Sequence, residues 1–508
     1  MSKKQIPIFI IIVILALATR FLFLGLRPIH HDEGMLSYFA WQLSEGGGYV
    51  YTPQIHGPIL FYLQALFFKF FGGGDAVVRA STALFGVILV CLPLAIYRKL
   101  GIRRSIAIAI LTLASPLLLY FSRFLVHTAL IVAINLAIVI ILWLLAKKPR
   151  PVYFYLLAVL SALAFGISET SYIFFASLIV FVPCYFALFP KNFSVVLKRL
   201  KKYITASYLD VIASFLVFVL VWILIYSVGL GSARSLLLSL PNPFNGEGGL
   251  GFWLSQHENK LGGQPWFYYL LLMLVYEPLI FLGAILAAIE SARRRGGALQ
   301  FFIVVLAFLS LLAYSVAGEK FPWLILPTLV LFTFSAGLYF GSNYLKSKTA
   351  TKIVIIVLGI FTIFNLYRLN YLDPADTREL PVYVQTPNSF REMVEKVRDA
   401  CQNKDNECVV IDSSVSWPLS WEFREISRLD NLDENTKISA KTSFIFTSAD
   451  NARESFEGFT PRQVQLRDWW VPPVCRDSSC IGKFARYFFL RTIWGEKGGY
   501  EVTIFERE

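Results

Sequence analysis

Apolar runs of about 20 residues, the length needed to cross ~30 Å of hydrocarbon, alternate with short polar stretches over the first three quarters of the chain. The first lies at residues 5–26, behind Lys3 and Lys4. Others follow at about 77–97, 104–121, 124–146, 152–168, 171–189, 208–230, 265–289, 299–317, 321–342 and 352–370. The pattern predicts an α-helical polytopic membrane protein with about eleven transmembrane helices. Ala16-Leu17-Ala18 has the look of a cleavage site, but the apolar run continues through residues 21–26, so an uncleaved first span is expected. Residues 59–71 are apolar and aromatic but too short to span comfortably, and read as a helix lying along the interface. From about 371 the pattern becomes that of a soluble domain. Residues 389–400 have a helical period, and 408–411, 443–447 and 500–505 read as strands. The expected division is a membrane module, 1–370, and a small C-terminal α/β domain, 371–508. Two long loops, 27–76 and the Gly- and Pro-rich 231–264, interrupt the module.

Charge gives these segments a direction. The 508 residues are 56% apolar and only 16% charged, with a net charge of +13. Residues 371–508 are net acidic, at 18 cations against 23 acids, so the basic excess belongs to the membrane module. It sits in every second loop: Arg98 to Arg104, Lys147 to Arg150, Lys191 to Lys202, Arg293 to Arg295, and Lys346 to Lys352. The positive-inside rule makes these loops cytoplasmic. The N-terminus is then cytoplasmic, and both long loops and the C-terminal domain are extracytoplasmic. Cations that punctuate apolar segments form no continuous basic patch, which argues against a nucleic-acid partner.

Acids gather on the opposite side, at Asp32, Glu33, Glu45, Asp75, Glu169, Glu247, Glu258 and Glu319. Topology does not require this, since Asp and Glu contribute little to it. Chemistry on the outer face would account for it. His30-His31-Asp32-Glu33-Gly34 sets two carboxylates beside two imidazoles at the end of the first span, residue types that supply a general base or bind a metal. The plain alternative is a polar loop that caps a helix. His56-Gly57-Pro58, Asp75 with Arg79, Ser122-Arg123, His127, Ser168-Glu169-Thr170 and Gly318-Glu319-Lys320 fall at the same depth. Such a level suits a lipid-linked phosphate, with Arg79, Arg123 and Lys320 as candidates to neutralise it. Membrane lipid is the other expected contact.

Four of six cysteines lie in the C-terminal domain. Three pairings are open, and local pairing as Cys401–Cys408 and Cys475–Cys480 is the simplest. Trp417, Trp421, Trp469 and Trp470 fit either sugar stacking or a small core, with core favoured.

HHDEG, GGGYVYTPQIHGP, FGGGDAVVRASTALFG, SPLLLYFSRF and GEKFPWL resemble a prokaryotic membrane family described as flippase-activity-associated Agl-type proteins. That family lies in the GT-C superfamily with the protein O-mannosyltransferases and aminoarabinose transferases. YVQTP (383–387) and SWPLSWEFR (416–424) resemble its tail, so the likeness covers nearly the whole chain. It implies an inverting glycosyltransferase that takes a hexose or pentose from a polyprenyl-phosphate-linked donor to a glycan, lipid or protein acceptor. The base would be Asp32, with Glu33 beside it. His31, His56, Arg79, Arg123, Glu169, Glu319 and Lys320 would bind substrate or phosphate. Many members of the superfamily have an acid shortly after the Arg of the SRF turn. Residues 122–128 here have none, and His127 or Thr128 falls in that region. No cofactor is fixed by the sequence; a divalent metal, with Asp32 and His127 as candidate ligands, stays open. The other class of function is a flippase-associated or transport protein that handles lipid-linked sugars without transfer. Paired repeats would favour it, but the chain has one mid-span acid, Glu277, and no evident repeat.

Overall fold

A computed structural model describes residues 5–227, 231–240, 248–259, 262–293, 295–402, 407–432, 436–449, 455–473 and 479–508. Within these, seven helices are long and apolar enough to cross a membrane, or nine spans if each of two bent pairs is one. Ile6–Phe21 and Pro151–Ile167 are shorter apolar helices. Every one of the eleven predicted segments is one of these helices or bent pairs. The chain is a multi-pass membrane protein. Ile59–Phe71 is a separate 13-residue helix, as its length predicts.

The two bends have local causes. Pro116 follows Ser115 and opens Pro116–Ser122 at 66° to Ile102–Ala114, and Pro278 does the same between Tyr268–Tyr276 and Pro278–Ala292 at 111°. Proline lacks the N–H that would continue the earlier helix, so it starts a new one. Glu277 lies at the second break, not inside a continuous span as expected. It is fully buried there, and its Oε1 accepts from Ser115 Oγ at 2.5 Å and Leu117 N at 2.9 Å. One break is thereby tied to the other.

By contacts the chain forms two compact units: Met1–Leu22, Gly48–Leu63 and Arg79–Tyr367; and Phe23–Gly47, Gln64–Val78 and Arg368–Glu508. The second unit therefore includes most of the first long loop, which a division at residue 370 does not contain. Its sheet has the order β2-β1-β3-β5-β4, with β1 Val409–Asp412, β2 Ser427–Asp430, β3 Phe444–Ser448, β4 Phe459–Trp469 and β5 Gly498–Arg507. β2, β1 and β3 are parallel, while β5 runs antiparallel to both β3 and β4. Alternation explains the layering. Val409 and Ile411 face a core with Phe390, Val394 and Phe446, whereas Val410 faces one with Ile445, Phe456 and Phe505. Cys401 and Cys408 form the first expected disulfide, at the end of helix Asn388–Ala400. The expected Cys475–Cys480 pair lies outside the described residues, because Cys475 does.

Candidate functional site

The HHDEG segment opens the helix His31–Ser44, and the cap explains its composition. His30 Nδ1 accepts from Asp32 N at 3.1 Å, while Glu33 Oε2 accepts from His30 N at 3.2 Å, a reciprocal box that satisfies first-turn donors. Arg27 Nη2 donates to Glu33 Oε1 at 3.1 Å, and Glu33 is fully buried. Both Glu33 oxygens are thus engaged, one in the cap and one in an ion pair. Asp32 differs. Its side chain is 28% exposed, with His31 Nε2 3.1 Å from Oδ1. Arg467, on β4, is within electrostatic reach of both Asp32 and His31. Its Nη2 donates to Trp417 O at 2.6 Å. Burial lowers the pKa of His31, Arg467 lowers it further and Asp32 opposes, so Asp32 is held beside a cation and a mostly neutral imidazole.

The tail strings hold this helix start in place. In YVQTP, Tyr383 O lies 2.8 Å from His30 Nε2, and Gln385 Nε2 donates to Pro28 O at 3.1 Å. In SWPLSWEFR, Pro418 packs so closely on Gly34 that a Cβ there would stand 2.7 Å from Pro418 Cβ. This is why the fifth residue of HHDEG is glycine. Trp421 is fully buried and stacks on Phe68 at 5.2 Å, while Arg424 covers Trp421 at 4.0 Å and donates to Gly73 O at 3.0 Å. Trp421 and Trp470 are core, as favoured; Trp417 and Trp469 are half-buried. Trp417 contacts Tyr38 and Phe39, at centroid distances of 5.6 and 5.7 Å.

His30, His31 and Asp32 bring three donor atoms within 4.8 Å of one another, the geometry of a candidate metal centre. The donor chemistry does not fit one. Burial lowers the His30 pKa to about 3, so the ring is neutral. Its Nδ1 lone pair is taken by Asp32 N–H, which puts the proton on Nε2, facing Tyr383 O. Only His31 and Asp32 remain, too few for a protein-held ion.

The first unit contains a second polar cluster. Glu169 accepts from Tyr51 Oη at 2.6 Å and pairs with His56 Nδ1 at 2.8 Å. Burial and Glu169 together push the Tyr51 phenol far up, so it stays a donor. The His56 ring stacks on Trp253 at 4.5 Å and lies 3.7 Å from the His127 ring. His127 Nε2 is buried with no hydrogen-bond partner among the described residues. Gly57 follows His56 because a Cβ there would stand 2.2 Å from Gly166 O. The structure thus brings His56, Glu169 and His127 together. Tyr51 and Trp253 escaped the sequence reading, as did Arg467, because aromatics and a lone Arg in a strand have many ordinary uses.

The expected phosphate cations are all buried. Arg123 Nη1 donates to the carbonyls of Thr19, Arg20 and Leu22, at 2.9, 3.3 and 2.7 Å, closing the end of the first helix. Arg79 is fully buried and Lys320 nearly so, with Lys320 Nζ on Ala317 O. Glu319, beside Lys320, is half-buried. Trp323 of GEKFPWL stacks on Phe124 of SPLLLYFSRF at 5.8 Å, so these two strings pack on each other.

Residues 55–225 match the family model described as dolichyl-phosphate-mannose-protein mannosyltransferase. The fold is similar to ArnT from Cupriavidus metallidurans in the apo state, with a TM-score of 0.58 and 13% identity, covering 83% of this chain and 85% of that one. It is also similar to the same protein bound to undecaprenyl phosphate, with a TM-score of 0.57 and 12% identity, covering 87% and 93%. No curated protein matches the chain significantly. The family match covers residues 55–225 only, and the likeness to ArnT is one of fold.

Proposed function

We propose that the chain is an inverting glycosyltransferase that moves a sugar from a polyprenyl-phosphate-linked donor to an acceptor hydroxyl, with Asp32 as the base. The observation that carries this reading is the split within HHDEG: Glu33 is consumed by Arg27 and His30, whereas Asp32 keeps an accessible carboxylate. The similarity to a structure bound to undecaprenyl phosphate supports the donor class. In the step, Asp32 takes the acceptor proton as the acceptor oxygen bonds to the anomeric carbon. The bond from that carbon to phosphate breaks, and its electron pair leaves with the polyprenyl phosphate. Such a leaving group needs charge neutralisation more than protonation. Arg467 lies within electrostatic reach of Asp32.

A second reading, handling of lipid-linked sugars without transfer, draws on the two bent pairs and the acid at one break, a pattern associated with transporters. Purified protein incubated with polyprenyl-phosphate sugars separates the two. Released polyprenyl phosphate together with glycosylated acceptor supports transfer; tight binding with neither product supports handling alone.

A further inference from the structure

The helix Pro190–Ala206 joins the apolar helices Ser171–Leu188 and Tyr208–Tyr226 through single residues, Phe189 and Ser207. Both of its ends are therefore tied to spans at one membrane face. Its 17 residues measure about 26 Å, so it can neither return across the bilayer nor leave the surface. A side-chain tether fixes its level. Arg199 Nη1 donates to Ala146 O at 2.9 Å and Lys147 O at 2.8 Å, last-turn carbonyls of the span His127–Lys147 that have no partner within that helix.

The sequence divides this helix into faces. Phe193, Val196, Leu200 and Tyr203 are half-buried, with Phe193 against Tyr185 and Phe186, and Tyr203 stacked on Phe154 at 5.7 Å. At ~100° per residue, Lys191, Lys198 and Lys202 fall within an arc of about 40° on the opposite side, with Lys201 about 60° away. All four are exposed. Between the two faces lie Leu197 and Ile204, 53% and 41% exposed. The helix contains no acid, and the next one in the chain, Asp210, accepts from Tyr155 Oη at 3.3 Å.

We propose that this helix is a docking surface for the headgroups of anionic phospholipids. Its lysines meet lipid phosphates while Leu197 and Ile204 enter the acyl boundary beside them. An apolar edge next to a cationic face, held at the ends of spans, suits a lipid surface and not a soluble acidic protein, which would leave Leu197 and Ile204 in water. Loop charges assign this face to the cytoplasm, where anionic lipids concentrate.

The test reconstitutes the full chain in vesicles that contain either photoactivatable phosphatidylglycerol or the matching phosphatidylcholine. Cross-linked peptides are then mapped by mass spectrometry. Phosphatidylglycerol should label 190–206 about tenfold more strongly than phosphatidylcholine. Replacing Lys191, Lys198, Lys201 and Lys202 with Gln should remove that excess, since each cation near a surface is worth about fivefold in lipid affinity. The corresponding Lys→Arg variant should keep it. If the Gln variant does not fold, the wild type still decides, because ~0.5 M salt should suppress the excess by screening. Equal labelling by both lipids, or labelling indifferent to salt, overturns the proposal. So does binding of soluble polyanions to this helix with no lipid preference.

Discussion

Asp32 and Glu33 are adjacent in sequence and chemically alike, yet their surroundings give them separate duties. Asp32→Asn should lower turnover by about 10²–10⁴-fold while thermal stability stays unchanged, because it removes a base and leaves the cap in place. Glu33→Gln should do the reverse and lower the melting temperature, since breaking a buried ion pair costs about 3–5 kcal/mol. Measuring turnover and melting on both variants checks the assignment; a stable Glu33→Gln with lost turnover would contradict it. His30 adds a pH dependence. Its folded pKa, about 3, lies below the ordinary 6.5, so the stability it contributes is full above pH 6.5 and is lost as pH falls toward 3. The difference in melting temperature between wild type and His30→Asn should therefore shrink from pH 7 to pH 4.5. At this scale HHDEG was legible as a cluster of candidate residues, but the separate surroundings of each were not. Those surroundings depend on Arg27 reaching Glu33 and on Tyr383, which lies 353 residues from His30. The contacts of Arg123 with the carbonyls of the first helix were hidden for the same reason, since they join residues about a hundred positions apart.

At the scale of elements, hydropathy located each candidate span among the described residues, because burial in lipid leaves a 20-residue signature that needs no partner. It did not reveal that two of the segments are bent. Pro116 and Pro278 were visible, but proline near the start of a run equally marks an ordinary helix N-terminus. Motif glycines carried more information than their composition suggested. Gly34→Ala would drive a Cβ into Pro418, and Gly57→Ala one into the carbonyl of Gly166. Each should cost about 1–3 kcal/mol through forced displacement of its neighbour. Gly74→Ala, with nothing within 4 Å of its Cβ, is the control and should melt like wild type. Equal melting temperatures for all three would show that the close approaches do not govern stability.

For the whole molecule, composition and loop charge defined a multi-pass protein with a folded tail, and the strands β1, β3 and β5 were legible from their apolar runs. β2 and β4 were not. Their faces are half-polar, as the exposed residues along β4 show, so alternation gave no clear signal. The larger omission was the role of the tail. YVQTP and SWPLSWEFR read as strings of unknown purpose, yet they hold residues 28–34 and supply the backbone to which Arg467 is anchored. A tail that only stabilised the protein would lose turnover in its variants only in step with their melting temperatures. If Arg467 instead helps position the groups around Asp32, Arg467→Ala should lower turnover by more than its loss of stability explains, and Arg467→Lys should restore part of it. The central claim, transfer from a polyprenyl-phosphate donor, is tested most directly by mass spectrometry of polyprenyl phosphate released by the purified chain in the presence of an acceptor. Release matched one for one by glycosylated acceptor, and abolished in Asp32→Asn, is the predicted result. Donor bound but recovered intact, or release equal in wild type and Asp32→Asn, would contradict it.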